Sequence, residues 1–248
     1  IFGIAGVQGN GQTELVEALT GLRKVEIGQV KLKGKDITNL TPLKRREAGM
    51  SYIPEDRISC GLNLSASIEE NLIATSYSKA PFARYGIFNF DERAKYAEKL
   101  VKEFDIRTPS REVLVRALSG GNMQKIIAAR EMSADKSLLV ASQPTRGLDV
   151  GSIEFIHRRL VDARDRGIAV LLVSTELDEI LSLCDRIAVM YEGRIVDIVP
   201  TRIVTEEELG LLMAGIVPES LIAKKRGDFL MAEVVPESLM VNEREVFN

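Results

Sequence analysis

The spacing of apolar residues along this chain predicts alternating strands and helices. Short continuous apolar runs predict buried strands, whereas apolar residues three or four positions apart predict one face of a helix. Strands are predicted at residues 1–5, 30–32, 50–53, 137–141 and 168–173, and a final hairpin at 186–190 and 194–199. Helices are predicted at residues 13–22, 67–74, 91–104, 119–132, 153–164 and 177–184. A strand, a glycine-rich turn and a helix at the start of the chain form the opening unit of a parallel α/β sheet.

The middle of the chain breaks this alternation and is predicted to be mostly helical. Ser67, with Glu70 three residues later, predicts a capped helix start, and Asp91 is expected to cap the next helix. The segment between these helices, residues 77–90, reads as a loop rich in aromatic residues. We therefore predict a discontinuous α/β core (1–65 and 126–200), a helical insertion (66–125) and a C-terminal extension (201–248). In the extension, V-P-E-S-L at 217–221 recurs at 235–239, a repeat for which the sequence suggests no mechanism.

Composition and charge exclude several classes of function. The net charge of −3 gives no electrostatic reason to expect a nucleic-acid partner. No apolar run reaches the roughly 18 residues that cross a bilayer, and the N-terminus lacks the layout of a secretory signal. Cys60 and Cys184 have no metal-type spacing and are expected to be ordinary small apolar residues of a reduced, cytosolic protein. His157, the single histidine, is expected to be solvated, which makes a histidine metal site or a Ser-His-Asp triad improbable.

A glycine-rich segment at residues 6–13, G-V-Q-G-N-G-Q-T, is the first motif that carries chemistry. It fits the phosphate-binding pattern G-x-x-x-x-G-K-[ST] everywhere except at the lysine, which here is Gln12. Glycines let the backbone wrap a phosphate group, and the following helix presents free N–H groups to it. Thr13 is placed to reach a magnesium ion. The alternative is a tight turn between a strand and a helix. The candidate nucleotide-binding residues of this phosphate loop are Gly6, Gln8, Gly9, Asn10, Gly11, Gln12, Thr13 and Glu14.

A second motif, L-S-G-G-N-M-Q at residues 118–124, is more specific. Ser119 and the unpaired N–H groups that follow it at a helix start make an anion site. Here the chain resembles the ATP-binding cassette (ABC) family, whose signature motif is LSGGQ. In that family the signature loop faces the nucleotide bound by the opposing domain of a dimer, a role that the resemblance gives to Ser119, Gly120, Gly121 and Gln124. The alternative is a plain serine-capped helix.

Three further segments resemble loops of the same family, in the family's order. Residues 137–149 end an apolar strand where the family places a magnesium-holding aspartate and a catalytic glutamate, and continue to Asp149 of the D-loop, which crosses the dimer interface. Residues 53–57, I-P-E-D-R, resemble the Q-loop with Glu55 in place of its glutamine. Thr175 stands where the family has a switch histidine. The segments P-E-D-R and P-T-R-G-L-D-V-G look particularly like importers of simple sugars and nucleosides. The resemblance implies a P-loop NTPase core with a mostly parallel sheet and a helical subdomain that carries the signature motif.

The departures from the family pattern all fall at positions of charge or proton chemistry. Uncharged side chains stand in place of the lysine, the magnesium aspartate, the general base and the switch histidine, namely Gln12, Ser142, Gln143 and Thr175. Losing a charge-assisted phosphate contact costs about 1.5–3 kcal/mol, and losing a positioned general base costs roughly 10²–10⁴ in rate. We therefore expect the chain's own site to hydrolyse ATP very poorly, with ATP and Mg²⁺ bound there weakly or not at all.

The resemblance implies one half of an asymmetric pair of cassettes. The partner cassette would hold the complete catalytic site, in the same full-length chain or in a dimer, and the abrupt start at Ile1 suits a fragment of such a fusion. The pair would serve polytopic permease subunits at the cytoplasmic face of the plasma membrane. Docking is expected beside residues 55–61 and 77–90, unless the second segment packs within the helical insertion. Two alternatives are a self-sufficient ATPase, with Glu14, Glu55 or Glu176 as its base, and a non-transport regulatory or scaffold member of the family.

Overall fold

A computed structural model describes residues 1–133 and 136–231 of the chain. Its strands are β1 Phe2–Ala5, β2 Lys31–Leu32, β3 Lys35–Asp36, β4 Met50–Ile53, β5 Ala83–Arg84, β6 Ile87–Phe88, β7 Leu138–Ser142, β8 Ala169–Ser174, β9 Arg186–Tyr191 and β10 Arg194–Pro200. Six of them form one sheet in the order β10-β9-β1-β8-β7-β4. All neighbours in this sheet are parallel except β9 and β10, which form the predicted hairpin at one edge. The sheet confirms the predicted mostly parallel α/β class.

The helices of the described residues are α1 Gln12–Thr20, α2 Pro42–Glu47, α3 Ile68–Ile73, α4 Phe90–Glu103, α5 Gly120–Met132, α6 Val150–Asp165, α7 Leu177–Leu183, α8 Glu206–Met213 and α9 Glu219–Met231. One π-helical turn, Arg57–Gly61, follows β4. Two 3-10 turns, Val115–Ala117 and Thr201–Ile203, precede α5 and α8. Within the described ranges, no helix is long and apolar enough to cross a bilayer.

The central strands are buried on both faces because helices cover both sides of the sheet. Alternate residues of a strand point to opposite faces, so Leu139 and Leu172 pack in the larger apolar cluster while Val140 and Val173 pack in the smaller one. The smaller cluster includes Val16 of α1. Parallel strands covered in this way are nearly continuous apolar runs, which is why the sequence predicts them well.

The structure confirms one predicted helix start and corrects another start and one helix end. Ser67 and Glu70 form the predicted capping box at α3. The cap of α4 is Asn89 and not Asp91, since the Asn89 side chain accepts a hydrogen bond from the Glu92 N–H at 3.1 Å. Helix α1 ends before Leu22 because Gly21 adopts a left-handed conformation there, with φ of 83°.

Several elements lie outside the predicted pattern. The aromatic segment 77–90 contains the small hairpin β5–β6, turned at Tyr85-Gly86 with φ of 52° and 80°, a two-residue turn of the type that hairpins favour. Helices α8 and α9 follow Pro200, where the apolar pattern weakens. The first V-P-E-S-L copy leads into α9 and buries Leu221, whereas the second copy lies outside the described residues. The predicted boundaries of core, insertion and extension stay a prediction.

The two cysteines have different environments. Cys184 is buried against Gly3, and this burial raises the pKa of its thiol to about 12. It is therefore the ordinary apolar residue that the sequence predicts. Cys60 is a free, exposed cysteine in the π-helical turn, and the prediction for that residue stays a prediction.

Candidate functional site

The phosphate loop lies between β1 and α1, as the sequence predicts. Gly9 and Gly11 have φ of 92° and 99°, a left-handed conformation that side chains other than glycine rarely adopt. Gly11 is the N-cap of α1 and offers no side chain to the first helical turn. The N–H groups at the start of α1 are therefore not capped by a side chain, which is the arrangement that suits an anion. Gln8, Thr13 and Glu14 are exposed beside it.

The Gln12 side chain folds back into this loop. Its Nε2 donates a hydrogen bond to the Val7 carbonyl at 3.1 Å, and the residue is only 7% exposed. The amide also lies tight against Gly6, since a Cβ placed on Gly6 would be 3.2 Å from Cδ of Gln12 and closer still to Nε2. A neutral amide therefore occupies the inside of the loop where the phosphate-binding pattern has a lysine.

Asn10 fixes the tip of the phosphate loop to the β9–β10 turn. Its side-chain oxygen accepts a hydrogen bond from the Glu192 N–H at 3.1 Å, and its carbonyl accepts one from the Gly193 N–H at 3.0 Å. A Cβ on Gly11 would meet the Gly193 Cα at 3.1 Å. The loop is thus held by the neighbouring β9–β10 hairpin as well as by its own glycines.

Strand β7 ends in two uncharged side chains, Ser142 and Gln143. Ser142 is buried, and Gln143 has a left-handed backbone with φ of 47°. The Gln143 N–H bonds to the Val173 carbonyl at 2.8 Å. Its side-chain oxygen accepts from the N–H of Thr175 at 3.3 Å and from the Thr175 hydroxyl at 3.4 Å. The structure thus brings together two positions that the sequence analysis assigns to general base and switch.

These side chains do not fit a magnesium ion held by the protein. Mg²⁺ is usually bound through carboxylates together with phosphate oxygens and water, and β7 ends without a carboxylate. Within the described part of the chain, no group of three or more histidine, cysteine, aspartate or glutamate side chains could hold a metal. The hydroxyl of Thr13 is left as the single candidate ligand from the sequence analysis.

The signature loop opens helix α5, and Ser119 is its N-cap. The Ser119 hydroxyl accepts hydrogen bonds from the N–H of Asn122 at 3.4 Å and from its Nδ2 at 3.0 Å. Asn122, at the place of the glutamine in LSGGQ, also accepts a bond from the Arg107 N–H at 2.8 Å. Ser119 is exposed and Gly120 is half-buried, so the helix start is open to a partner at these two residues.

Gln124 and Gly121 are buried, and the burial of the Gln124 side chain is contrary to its predicted contact with a nucleotide. The Gln124 side chain is 2% exposed, and its Nε2 donates to the Pro144 carbonyl at 2.7 Å. Its amide is therefore committed to the chain's own backbone. Gly121 is covered by Ser152 and Asp149 at the start of α6. The sequence could not show this burial, because the covering residues lie about thirty positions away.

Asp149 is the N-cap of α6. Its carboxylate accepts hydrogen bonds from the Ser152 N–H at 2.9 Å and from the Ser152 hydroxyl at 2.8 Å, and these bonds lower its pKa. Gly147, with φ of 67°, precedes it in the D-loop. Asp149 is exposed and so is Val150. The D-loop is therefore a surface turn whose carboxylate stays ionised.

Several polar contacts near these loops could not be predicted from the sequence. Glu55 forms an ion pair with Arg146, and Arg57 donates to the Arg146 carbonyl at 2.7 Å. His157 is not solvated as expected, since its Nε2 lies 2.9 Å from the buried Glu179 carboxylate. That same carboxylate accepts from the Thr145 hydroxyl at 2.8 Å. No local signal could reveal these pairs, because 22 to 91 residues separate their members.

The sheet, the phosphate loop that follows its central strand β1, the helical insertion and the capped signature helix together define an ATP-binding cassette. A family model described as "ABC transporter" matches residues 1–146. The chain belongs to this family.

Two curated relatives are similar to the chain along most of its length. The guanosine import ATP-binding protein NupO of Bacillus subtilis (strain 168) is 54% identical over 215 residues, which is 87% of this chain. The nucleoside import ATP-binding protein NupA of Lactococcus lactis subsp. cremoris (strain MG1363) is 51% identical over 215 residues, again 87% of this chain. The chain spans 42% of the length of each relative.

Solved cassettes have the same fold at low sequence identity. The dimeric ATP-binding cassette MJ0796 in a post-hydrolysis state bound to ADP and Pi has a TM-score of 0.70 and 22% identity, and the match covers 82% of this chain and 85% of that one. The ADP conformation of the cassette MJ1267 has a TM-score of 0.65 and 20% identity, covering 92% and 87%. This likeness establishes the fold.

Proposed function

We propose that this chain is a cassette of an importer for nucleosides, with simple sugars as the second candidate solute class. The two relatives above are named for guanosine and nucleoside import, and a ribose import ATP-binding protein of Bacillus subtilis (strain 168) is 35% identical over 215 residues. The solute itself would be bound elsewhere in the transporter. This chain would contribute nucleotide binding and contacts between cassettes.

The chain's own pocket binds nucleotide weakly and does not hydrolyse it. The single observation that carries this proposal is the contact between Gln143 and Thr175, two uncharged side chains bonded to each other at the end of β7 and β8. Neither can accept a proton from water at neutral pH, so the site lacks a general base there. Gln12 adds no charge to stabilise a developing phosphate anion. Weak binding through the backbone N–H groups of the phosphate loop is retained.

The signature helix serves the nucleotide of a partner cassette. Ser119 is exposed and Gly120 half-buried at the start of a 13-residue helix, where the helix dipole and free N–H groups favour an anion. The catalytic partner is a consensus cassette in the same full-length protein or in a second chain. The relatives, which are more than twice as long as this chain, support the first arrangement.

The exposed apolar hairpin β5–β6 and the Q-loop segment form the docking surface for the permease. Tyr85 is 90% exposed, Ile87 75% and Phe90 64%, and they lie around an open cavity of about 850 Å³. A patch of large exposed apolar groups marks an interaction surface more often than a free one. This docking places the chain at the cytoplasmic face of the membrane.

The experiment compares variants of the two loops in the full-length protein. Gly120→Asp puts a negative charge at the anion site and should lower ATP turnover roughly 10²–10³-fold, the effect expected for losing a transition-state oxygen contact. Thr13→Ala, in the chain's own pocket, should change turnover less than twofold. Ser65→Ala, at an exposed serine outside both loops, is the control. Turnover abolished by Thr13→Ala and kept by Gly120→Asp would support a self-sufficient ATPase instead.

Uptake measurements test the solute class separately. Cells that carry the full transporter should accumulate labelled guanosine, and cells with the Gly120→Asp variant should not. Uptake of labelled ribose in place of guanosine would assign the chain to sugar import, and uptake of neither by an expressed, membrane-bound transporter would contradict both.

A further inference from the structure

One residue of the D-loop segment, Arg146, is held from two directions by the Q-loop segment. Its guanidinium forms an ion pair with Glu55, and its backbone carbonyl accepts a hydrogen bond from Nη1 of Arg57 at 2.7 Å. Glu55 and Arg57 lie directly after β4, at the end of the sheet where β7 also ends. The segment that precedes Gly147 therefore cannot move without breaking a contact to the Q-loop segment.

The Arg57 guanidinium also lies against the signature helix start. A Cβ built on Gly120 would be 3.1 Å from Nη2 of Arg57 and 3.6 Å from both Cζ and Nε. The guanidinium group thus lies directly beside Gly120. A Cβ built on Gly147 would lie 3.6 Å from the same Nη2 atom. Arg57 therefore contacts the D-loop and the signature loop with one side chain.

The charge of Arg57 is unusual for this place. A cation beside a helix N-terminus is unfavourable by the sign of the helix dipole, and within the described residues no carboxylate lies within ion-pair distance of Arg57. Packing and the bond to the Arg146 carbonyl keep it there.

We propose that Glu55 and Arg57 are positioning residues that fix the D-loop against the signature helix start, by holding Arg146 through its side chain and its carbonyl. The inference rests on the proposed function, in which Ser119 and Gly120 serve the partner's nucleotide. The two residues act through Arg146 and the glycine loops and need not touch the nucleotide. Because they belong to the segment that follows β4, a movement there would shift both loops together.

The test measures steady-state ATP hydrolysis by the full-length protein with its permease. Arg57→Ala should lower kcat roughly tenfold, the value of one charge-assisted hydrogen bond, while KM stays within twofold, because the residue does not bind nucleotide in the ground state. Arg57→Lys should recover part of the loss, since lysine can donate to the Arg146 carbonyl but lacks the second nitrogen, Nη2, that contacts Gly120. Arg116→Ala, at an exposed arginine three residues before Ser119, is the matched control for charge and should change kcat less than twofold.

A second variant keeps the proposal testable if Arg57→Ala folds poorly. Glu55→Gln removes the ion pair with Arg146. The kcat of the double variant Glu55→Gln/Arg57→Lys should be no lower than that of the slower single variant, because both residues hold one segment. Fully multiplicative losses, a change confined to KM, or an Arg57→Ala enzyme equal to Arg116→Ala would each overturn the inference. If this inference is overturned while Gly120→Asp still lowers turnover, the proposed function stands. If Gly120→Asp leaves turnover unchanged, the proposed function and this inference are both overturned.

Discussion

The hydroxyl of Ser152 in α6 occupies the space that a side chain on Gly121 in α5 would need. A Cβ built on Gly121 would lie 3.2 Å from both Cβ of Ser152 and Oδ2 of Asp149, and closer still to the Ser152 Oγ. Since Ser152 and Asp149 are bonded to each other at 2.8 and 2.9 Å, they cannot easily move apart. The second glycine of the signature loop is therefore required for packing within this chain, whatever binds at the first.

This packing predicts opposite effects for alanine at two helical glycines. Gly121→Ala should lower the free energy of unfolding by about 1–3 kcal/mol, the usual cost of overpacking. Gly210→Ala is the matched control, since it lies inside α8 with nothing within 4 Å of the added Cβ, and it should raise stability by about 0.5–1 kcal/mol. Urea unfolding of the three proteins measures both. Equal stability of the two variants would show that α5 and α6 are not packed as described.

The contact between Gln143 and Thr175 predicts that no single substitution restores hydrolysis in this chain's own pocket. Gln143→Glu supplies a carboxylate but leaves Gln12 without a positive charge and Ser142 without a metal ligand. We expect less than a twofold gain in ATP turnover when the partner's site is disabled. The quadruple variant should raise turnover at least about 10²-fold. It combines Gln12→Lys, Ser142→Asp, Gln143→Glu and Thr175→His.

The repaired variant has its own control. Thr13→Ala in the repaired background should abolish the gain, because the new activity depends on the local phosphate loop. A large gain from Gln143→Glu alone would mean that the pocket lacks only its base, and the proposal of a fully inactive site would be wrong.

The buried amide of Gln12 predicts a stability role in place of a catalytic one. Gln12→Ala removes the 3.1 Å hydrogen bond to the Val7 carbonyl and empties the inside of the loop, so we expect a loss of about 1–2 kcal/mol in unfolding free energy. Thr13→Ala, at the exposed next residue, should cost less than about 0.5 kcal/mol. Denaturant titration at neutral pH distinguishes them. Equal effects would indicate that the Gln12 side chain points into solvent.

The sequence predicted those elements whose signals are local. Strand β8 is an apolar run, and the capping box at Ser67 needs only four residues. Helix α2 was not predicted because it is short and polar, although Thr41 before Pro42 is a helix-start signal. The phosphate loop could be found because its glycines are contiguous.

Contacts across the sheet could not be predicted from one sequence. The ion pair between Glu55 and Arg146 joins residues 91 positions apart, and the bond from Gln124 to the Pro144 carbonyl depends on how α5 meets β7. Motif resemblance assigned Gln124 to a nucleotide contact because a motif records residue types and spacing. Which side of a helix is buried depends on packing partners elsewhere in the chain.

The carboxylate of Glu208 predicts a pH-dependent attachment of the last helix. It caps α8 by accepting from the Thr205 N–H at 2.9 Å, and it accepts from Nζ of Lys224 in α9 at 2.8 Å and from the Ser220 hydroxyl at 2.6 Å. The bonds to Lys224 and Ser220, then that to Thr205, lower its pKa from 4.5 to about 2. A carboxylate whose pKa is lower in the folded state stabilises that state above its unfolded pKa.

The stabilisation should therefore be complete above about pH 4.5 and disappear as the pH falls through 2. Glu208→Gln should lower the urea midpoint at pH 7, and the difference from the unsubstituted protein should shrink at pH 3. Glu207→Gln removes the same charge from the same helical turn, at an exposed residue with no ion pair among the described residues, and controls for net charge. If Glu208→Gln lowers the urea midpoint as much at pH 3 as at pH 7, the loss comes from a packing contact. The charge of the carboxylate would then contribute nothing.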